Sequence, residues 1–214
     1  MRLYGFWRST ATWRVRIALA HKGLAYEYRP VHLRRDGGEQ NRDEFLALNP
    51  MRQVPVLEFE HEGQRVRLTQ SIAILELLEE LYPSPPLLPA SALGRARARE
   101  LAELVVSGIQ PLQNTAVQRW VREALGADEA AWARHWVEKG LGALERRAAE
   151  SAGRFLVGDA LSFADLCLVP QLYFARRFAV DLAPYPTLTR VEAACAALPA
   201  FQQAHALAQP DAEG

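Results

Sequence analysis

Four prolines fall within seven residues, at Pro83, Pro85, Pro86 and Pro89, inside the stretch PSPPLLPASAL (83–93). Proline has no amide proton to give a helix or an inner strand, and its ring clashes with the preceding helical turn. No regular element can run through this stretch, so it divides the chain. Before it, strand and helix signals alternate; beyond it, only helical patterns recur. The expected organisation is a mixed α/β domain over 1–82, a linker over 83–93 and an all-helical domain over 94–214.

The first part can be followed element by element. RLYGF (2–6) reads as a short strand, and TWRVRIALAHKG (12–23) as a helix closed by Gly23, which is free to take a positive φ. AYEYRPVHL (25–33) is aromatic and β-branched, as a second strand would be. DEFLALNP (43–50) suits one or two helical turns stopped by Pro50. VPVLEFE (54–60) and RVRLT (65–69), joined by the turn HEGQ, form a strand pair. In QSIAILELLEELY (70–82), Ile74, Leu77, Leu78 and Leu81 line one face of a helix. The order β-α-β-α-β-β-α joins a parallel βαβ unit to an antiparallel hairpin, which is the order of a thioredoxin-like domain.

In the second part, helical segments are expected over about 94–125, 128–150, 162–178 and 187–208. LSFADL (161–166) places Ser162 at an N-cap with Asp165 three residues on, and Leu161 and Leu166 can form a hydrophobic staple. The aspartate also complements the positive end of the helix dipole. This signal concerns folding rather than chemistry.

Charge narrows the function classes. Lys and Arg total 25, as do Asp and Glu, so the chain lacks the basic excess of a dedicated nucleic-acid binder. Cys167 and Cys195 stand in apolar runs outside any metal-type cluster, which suggests reduced thiols and no metal. No apolar run approaches the roughly 18 residues of a membrane span. The first residues carry no apolar signal region, so a cytoplasmic location is expected.

Three stretches carry candidate chemistry. In FWRSTATWRVRIAL (6–19), Ser9, Thr10 and Thr12 sit where a strand gives way to a helix. They suit an ordinary N-cap, and equally an anion site in which a hydroxyl donates to a thiolate and lowers its pKa. A redox enzyme of this fold would hold Cys-x-x-Cys there; Ser9-Thr10-Ala11-Thr12 cannot exchange disulfides, so any thiol must arrive with a ligand. In NPMRQVPVL (49–57), a cis Val54–Pro55 bond would offer the main chain of Val54 to an extended peptide. In TQSIAI (69–74), Gln70 and Ser71 open a helix, as a cap or as a carboxylate site.

Taken together and in this order, the segments YGFWRSTATWRVRIALAHKGLAYEY (4–28), LNPMRQVPVL (48–57), TQSIAILELLEELYP (69–83), SGIQPLQN (107–114), FADLCLVPQ (163–171) and VDLAPYPTL (180–188) resemble the glutathione transferase superfamily, most of all its zeta class. The resemblance implies the glutathione transferase fold, α/β plus all-α, with a thioredoxin-like domain followed by a helical bundle. It implies a glutathione site at Ser9, Thr10, Gln40, Val54, Gln70 and Ser71, bordered by Ala11, Thr12, Trp13, Arg14 and Pro55. Gln110 and Asn114 would join it, turned by a kink at Gln110–Pro111. Ser9 takes the place of the family's thiolate-stabilising serine, with Thr10 and Arg8 beside it. The usual Ser-Ser-Cys reads Ser9-Thr10-Ala11 here, so a role for that cysteine cannot operate.

The implied activity is glutathione-assisted cis–trans isomerisation of a dicarboxylic keto acid, maleylacetoacetate to fumarylacetoacetate. Arg8 and Arg177 would meet the substrate's carboxylates, whereas Arg14 and Arg16 are expected on a solvated or interface face. The sister reaction on maleylpyruvate, conjugation of halogenated acids, and a non-catalytic ligand-binding role are the alternatives. A homodimer is implied by the family alone, with no nucleic-acid or membrane partner.

Overall fold

The computed structural model describes residues 1–213 and resolves into two compact units. One comprises Met1–Pro85 together with the chain from Leu198 onward; the other is Pro86–Ala197. The return of the C-terminal segment to the first unit was not legible in the hydrophobic pattern, which assigned it to the helical part.

The first unit is built on a four-stranded sheet in the order β2-β1-β3-β4. Strand β1 (Arg2–Gly5) leads through α1 (Thr10–His21) to β2 (Glu27–Pro30), which pairs parallel with β1. A single-turn helix α2 (Asp43–Leu46) follows, then β3 (Val56–His61) and β4 (Gln64–Thr69), antiparallel to one another, with β3 also antiparallel to β1. Glu62 and Gly63 both take positive φ in the two-residue turn, the pattern that matches the twist of a tight hairpin. Helix α3 (Ser71–Leu81) completes the β-α-β-α-β-β-α order.

Helix α1 is buried on nearly every side. Val15, Ile17, Ala18 and Leu19 are fully buried, and α9 (Pro199–Ala204) packs along the helix. Its C-terminus closes with Leu24 N–H bonded to the Leu19 carbonyl and Gly23 at φ 66°, a left-handed stop that glycine makes at no steric cost. Gly5 is required for another reason: a Cβ there would stand 2.2 Å from Thr12 Cγ2, so strand and helix could not approach as they do. Lys22, buried at the end of α1, donates to Glu79 at 2.8 Å and to the carbonyls of Tyr82 and Pro85, tying α1 to α3 and the proline stretch.

The second unit is helical: α4 (Ala92–Glu103), α5 (Thr115–Leu125), α6 (Glu129–Ala148), α7 (Phe163–Arg177) and α8 (Pro186–Ala196). The long segment expected over 94–125 is broken. After α4 the chain widens into a π-helical turn, Leu104–Ile109, whose register shows in the Gln110 N–H bond to Val105. Pro111 follows, and α5 restarts behind Asn114. Gly140 of α6 admits Ile109, whose Cγ1 lies 2.2 Å from where a Cβ would stand. The helix expected over 187–208 is likewise split: Leu198 is extended and Pro199 starts α9, because a proline fits the first turn of a new helix but not the interior of an old one. The capping box of α7 is present as expected, with Asp165 accepting from the N–H groups of Leu156 and Ser162. No helix among the described residues is long and apolar enough to cross a membrane.

Candidate active site

The Ser9 loop is a turn closed by Ser9 N–H donating to the Phe6 carbonyl at 3.0 Å. Ser9 then caps α1: its extended backbone (φ −65°, ψ 118°) lets Oγ accept from Thr12 N–H at 3.3 Å. The cap uses an oxygen lone pair only. The hydroxyl proton of Ser9 donates to no described residue, and the N–H groups of Thr10 and Ala11 have no acceptor among them. Three donors therefore converge at the positive end of a twelve-residue helix. Capping and anion binding, separate readings of the sequence, are compatible in one residue.

The rest of the hydroxyl run points inward. Thr12 is fully buried with Oγ1 unpartnered, and Trp13 packs edge-on against His205, their rings 5.0 Å apart. Arg14 and Arg16 are both fully buried within the chain, which overturns the expectation of a solvated or interface face. The cause is that α1 packs against α3 and against α9 of the C-terminal segment. Arg14 Nη1 donates to Ser71 Oγ at 2.8 Å; Arg16 donates to the carbonyls of Trp7, Ala204 and Phe6. Burial lowers the pKa of Arg16 from its ordinary value.

Arg8 is half-buried, its guanidinium 5.0 Å from the Trp7 ring and 5.9 Å from the Phe6 ring. Stacking of this kind restrains the side chain.

Val54 stands before β3 on a cis bond to Pro55, as the Val-Pro step allowed. Its N–H and C=O have no partner among the described residues, although its side chain is buried. A short edge of strand-like backbone is thus left for pairing. At the next helix, Ile74 N–H makes the first turn of α3 on Gln70, leaving the N–H groups of Ser71, Ile72 and Ala73 directed out of the helix end. Gln70 itself is exposed and sits at φ 70°, where side chains are rarely found. Gln40 folds back over Gly38 and donates to Leu33 O at 3.3 Å, with Oε1 buried and unpartnered.

Ser9, Thr10, Ala11, Val54, Gln70 and Ser71 belong to the first unit, with Arg14 linking the two helix ends. Gln110, Asn114 and Arg177 belong to the second. Gln110 ends the π-helical turn, Asn114 caps α5 by accepting from Ala116 N–H at 2.9 Å, and Arg177 is exposed in the last turn of α7. Cys167 and Cys195 are buried there too.

Residues 8–81 match the glutathione S-transferase N-terminal domain and residues 116–199 the C-terminal domain. The chain is 46% identical over 213 residues to the maleylacetoacetate isomerase of Dictyostelium discoideum, covering 99% of this chain and 95% of that one. It is 56% identical to the maleylacetoacetate isomerase of Anaeromyxobacter dehalogenans 2CP-1, whose crystal structure has GSH bound in the active site; the TM-score is 0.91, over 99% of this chain and 97% of that one. A holo structure of maleylpyruvate isomerase, described as a bacterial zeta-class glutathione S-transferase, superposes with a TM-score of 0.93 at 46% identity over the whole of both chains. On fold and sequence alike, the chain belongs to the zeta class of the glutathione S-transferase family.

Proposed function

We propose that this chain is a glutathione-dependent cis–trans isomerase that converts maleylacetoacetate to fumarylacetoacetate. The observation that carries the reading is the Ser9 hydroxyl, which caps α1 through its oxygen and keeps its proton to give.

Glutathione is a tripeptide with an extended main chain, a carboxylate at each end and a thiol between, and the first unit offers a matching group for the main chain, for one carboxylate and for the thiol. Val54 offers an N–H and a C=O to the main chain, as in strand addition. Ser71 and the open end of α3 suit a carboxylate, with the Gln70 side chain beside it. Ser9 and the N–H groups of Thr10 and Ala11 suit a thiolate, and donors aimed at it favour its charged form. When bound, glutathione supplies the sulfur nucleophile that adds reversibly to the cis double bond and is returned unchanged after rotation. Ser9 holds the sulfur ionised and Arg8, steadied over Trp7, grips a substrate carboxylate with its planar fork. Thr10 adds a methyl group beside Ser9, and Ala11 leaves the site without a protein thiol.

Maleylpyruvate isomerisation needs the same thiolate and the same cation and is the second reading. A homodimer in the cytoplasm is proposed on family membership alone, and light scattering and cell fractionation test it. The activity is tested by giving the purified protein glutathione with maleylacetoacetate, maleylpyruvate or a chloro acid and following the fumaryl product or thioether. Absence of glutathione-dependent turnover of both cis acids sinks the reading. Ser9→Ala should cut kcat by roughly a hundredfold or more, the scale of losing one aimed donor; an unchanged rate would move the role to Thr10.

A further inference from the structure

The turn that carries Arg8 and Ser9 is held from below by two residues from elsewhere in the first unit. Trp7 N–H donates to Asp211 Oδ2 at 3.0 Å, and Trp7 C=O accepts from Arg16 Nη2 at 2.7 Å. The preceding carbonyl, Phe6 O, takes both Arg16 Nη1 at 3.5 Å and the Ser9 N–H that closes the turn. Arg16 Nε donates to Ala204 O at 3.2 Å, and Tyr28 OH donates to the same Asp211 oxygen at 3.3 Å. Both main-chain polar groups of Trp7, a central residue of the turn, are therefore fixed by groups that are themselves fixed. Arg16 is fully buried and Trp7 is 4% exposed, so water does not compete for the Arg16 bonds, whereas Asp211 is half-buried. The charged and titratable groups around the turn are Arg8, Arg16, Tyr26, Tyr28, His32 and Asp211.

We propose that Asp211 and Arg16 are positioning residues for the isomerase reaction: by clamping the Trp7 peptide from the C-terminal segment and from α1, they set the direction in which Ser9 and Arg8 present their donors. The inference rests on the reading of Ser9 as the thiolate donor. Neither residue touches the reacting atoms. A peptide fixed at both ends removes the rocking of the turn that would otherwise swing Ser9 Oγ, and misplacement on the ångström scale is costly to rate. The return of the chain after α8 to the first unit brings this carboxylate, 204 residues from Trp7 in sequence, against the turn.

The test uses the full chain and four variants. Asp211→Ala removes the acceptor, Asp211→Asn keeps an oxygen for Trp7 N–H, Tyr28→Phe removes the hydroxyl that orients the carboxylate, and Glu213→Gln removes only the charge from the tail's contacts with His32 and Arg35. Readouts are kcat, KM for glutathione, the thiolate absorbance of bound glutathione against pH, and the melting curve. For Asp211→Ala, kcat should fall roughly tenfold with KM changed less than about twofold, and the bound thiol should ionise at higher pH. Asp211→Asn should recover most of the rate, Tyr28→Phe should show a smaller loss in the same direction, and Glu213→Gln should match wild type. A folded Asp211→Ala with wild-type kcat overturns the proposal, as does an equal loss in Glu213→Gln, which would indicate tail docking in general. Should Asp211→Ala not fold, Tyr28→Phe decides, and an unchanged rate there overturns it. Wild-type protein whose bound thiol ionises as in free solution refutes the Ser9 reading and the clamp with it; a lowered wild-type thiol left unmoved by Asp211→Ala refutes the clamp alone.

Discussion

Arg14 donates from Nη1 to the hydroxyl of Ser71 at 2.8 Å, and both side chains are buried. Arg14 lies one turn into α1 and Ser71 is the first residue of α3, so this bond ties together the two helix ends that offer free N–H groups. Ser71 is held through its oxygen, as Ser9 is by Thr12, and each keeps a proton to donate. Replacing Arg14 by alanine should free Ser71 to rotate and raise KM for glutathione about tenfold with kcat little changed, since the Ser9 turn is untouched. Loss of a charged, buried hydrogen bond should also lower stability by about 2–3 kcal/mol. Calorimetry and steady-state kinetics check both; an unaltered KM would separate Ser71 from glutathione binding.

The parts of this molecule legible in its sequence are those written in neighbouring residues. Gly23 at a helix end, Pro50 after α2, Glu62-Gly63 in a hairpin and Ser162 with Asp165 are local signals, and each stands where expected. The hydroxyl run at Ser9 was legible as a helix start, with its two possible uses. Arg14 and Arg16 misled because charge is normally a sign of solvent, and nothing beside them tells that a segment from the far end of the chain covers their helix. Asp211 carried no signal for the same reason: its partners, Trp7 and Tyr28, are remote in sequence. The breaks at Leu104–Ile109 and at Pro199 were half visible, as a proline each, while the π-helical turn depends on packing against α6.

Gln70 gives a prediction in which stability and function move in opposite directions. It holds φ 70° and ψ 113° with a side chain attached, a region that costs on the order of 1–3 kcal/mol for any residue but glycine. Gln70→Gly removes that strain while making the unfolded chain freer by about 0.5–1 kcal/mol. The net expectation is a gain of about 1 kcal/mol in urea unfolding, together with a several-fold rise in KM for glutathione because the exposed amide is gone. A less stable glycine variant would show that the backbone here is relaxed and that the side chain is what holds the turn.

Asp165 predicts an unusual pH dependence. It is completely buried at the start of α7, and burial pushes its carboxyl up to about 6 from an ordinary 3.8, against the lowering effect of its bonds to Leu156 N–H, Ser162 N–H and Ser162 Oγ. Between pH 4 and 6 the folded chain therefore holds a proton that the unfolded chain has released. The contribution of this group is greatest below pH 4 and is lost as pH rises through 6, by about 3 kcal/mol for a shift of about two units. Asp165→Asn cannot titrate and also loses one acceptor from the capping box. The stability difference between wild type and Asp165→Asn should therefore shrink by about 2 kcal/mol from pH 4.5 to 7.5, measured by urea unfolding at each pH. A difference that grows over the same range would mean that the three hydrogen bonds outweigh burial and that Asp165 is ionised throughout.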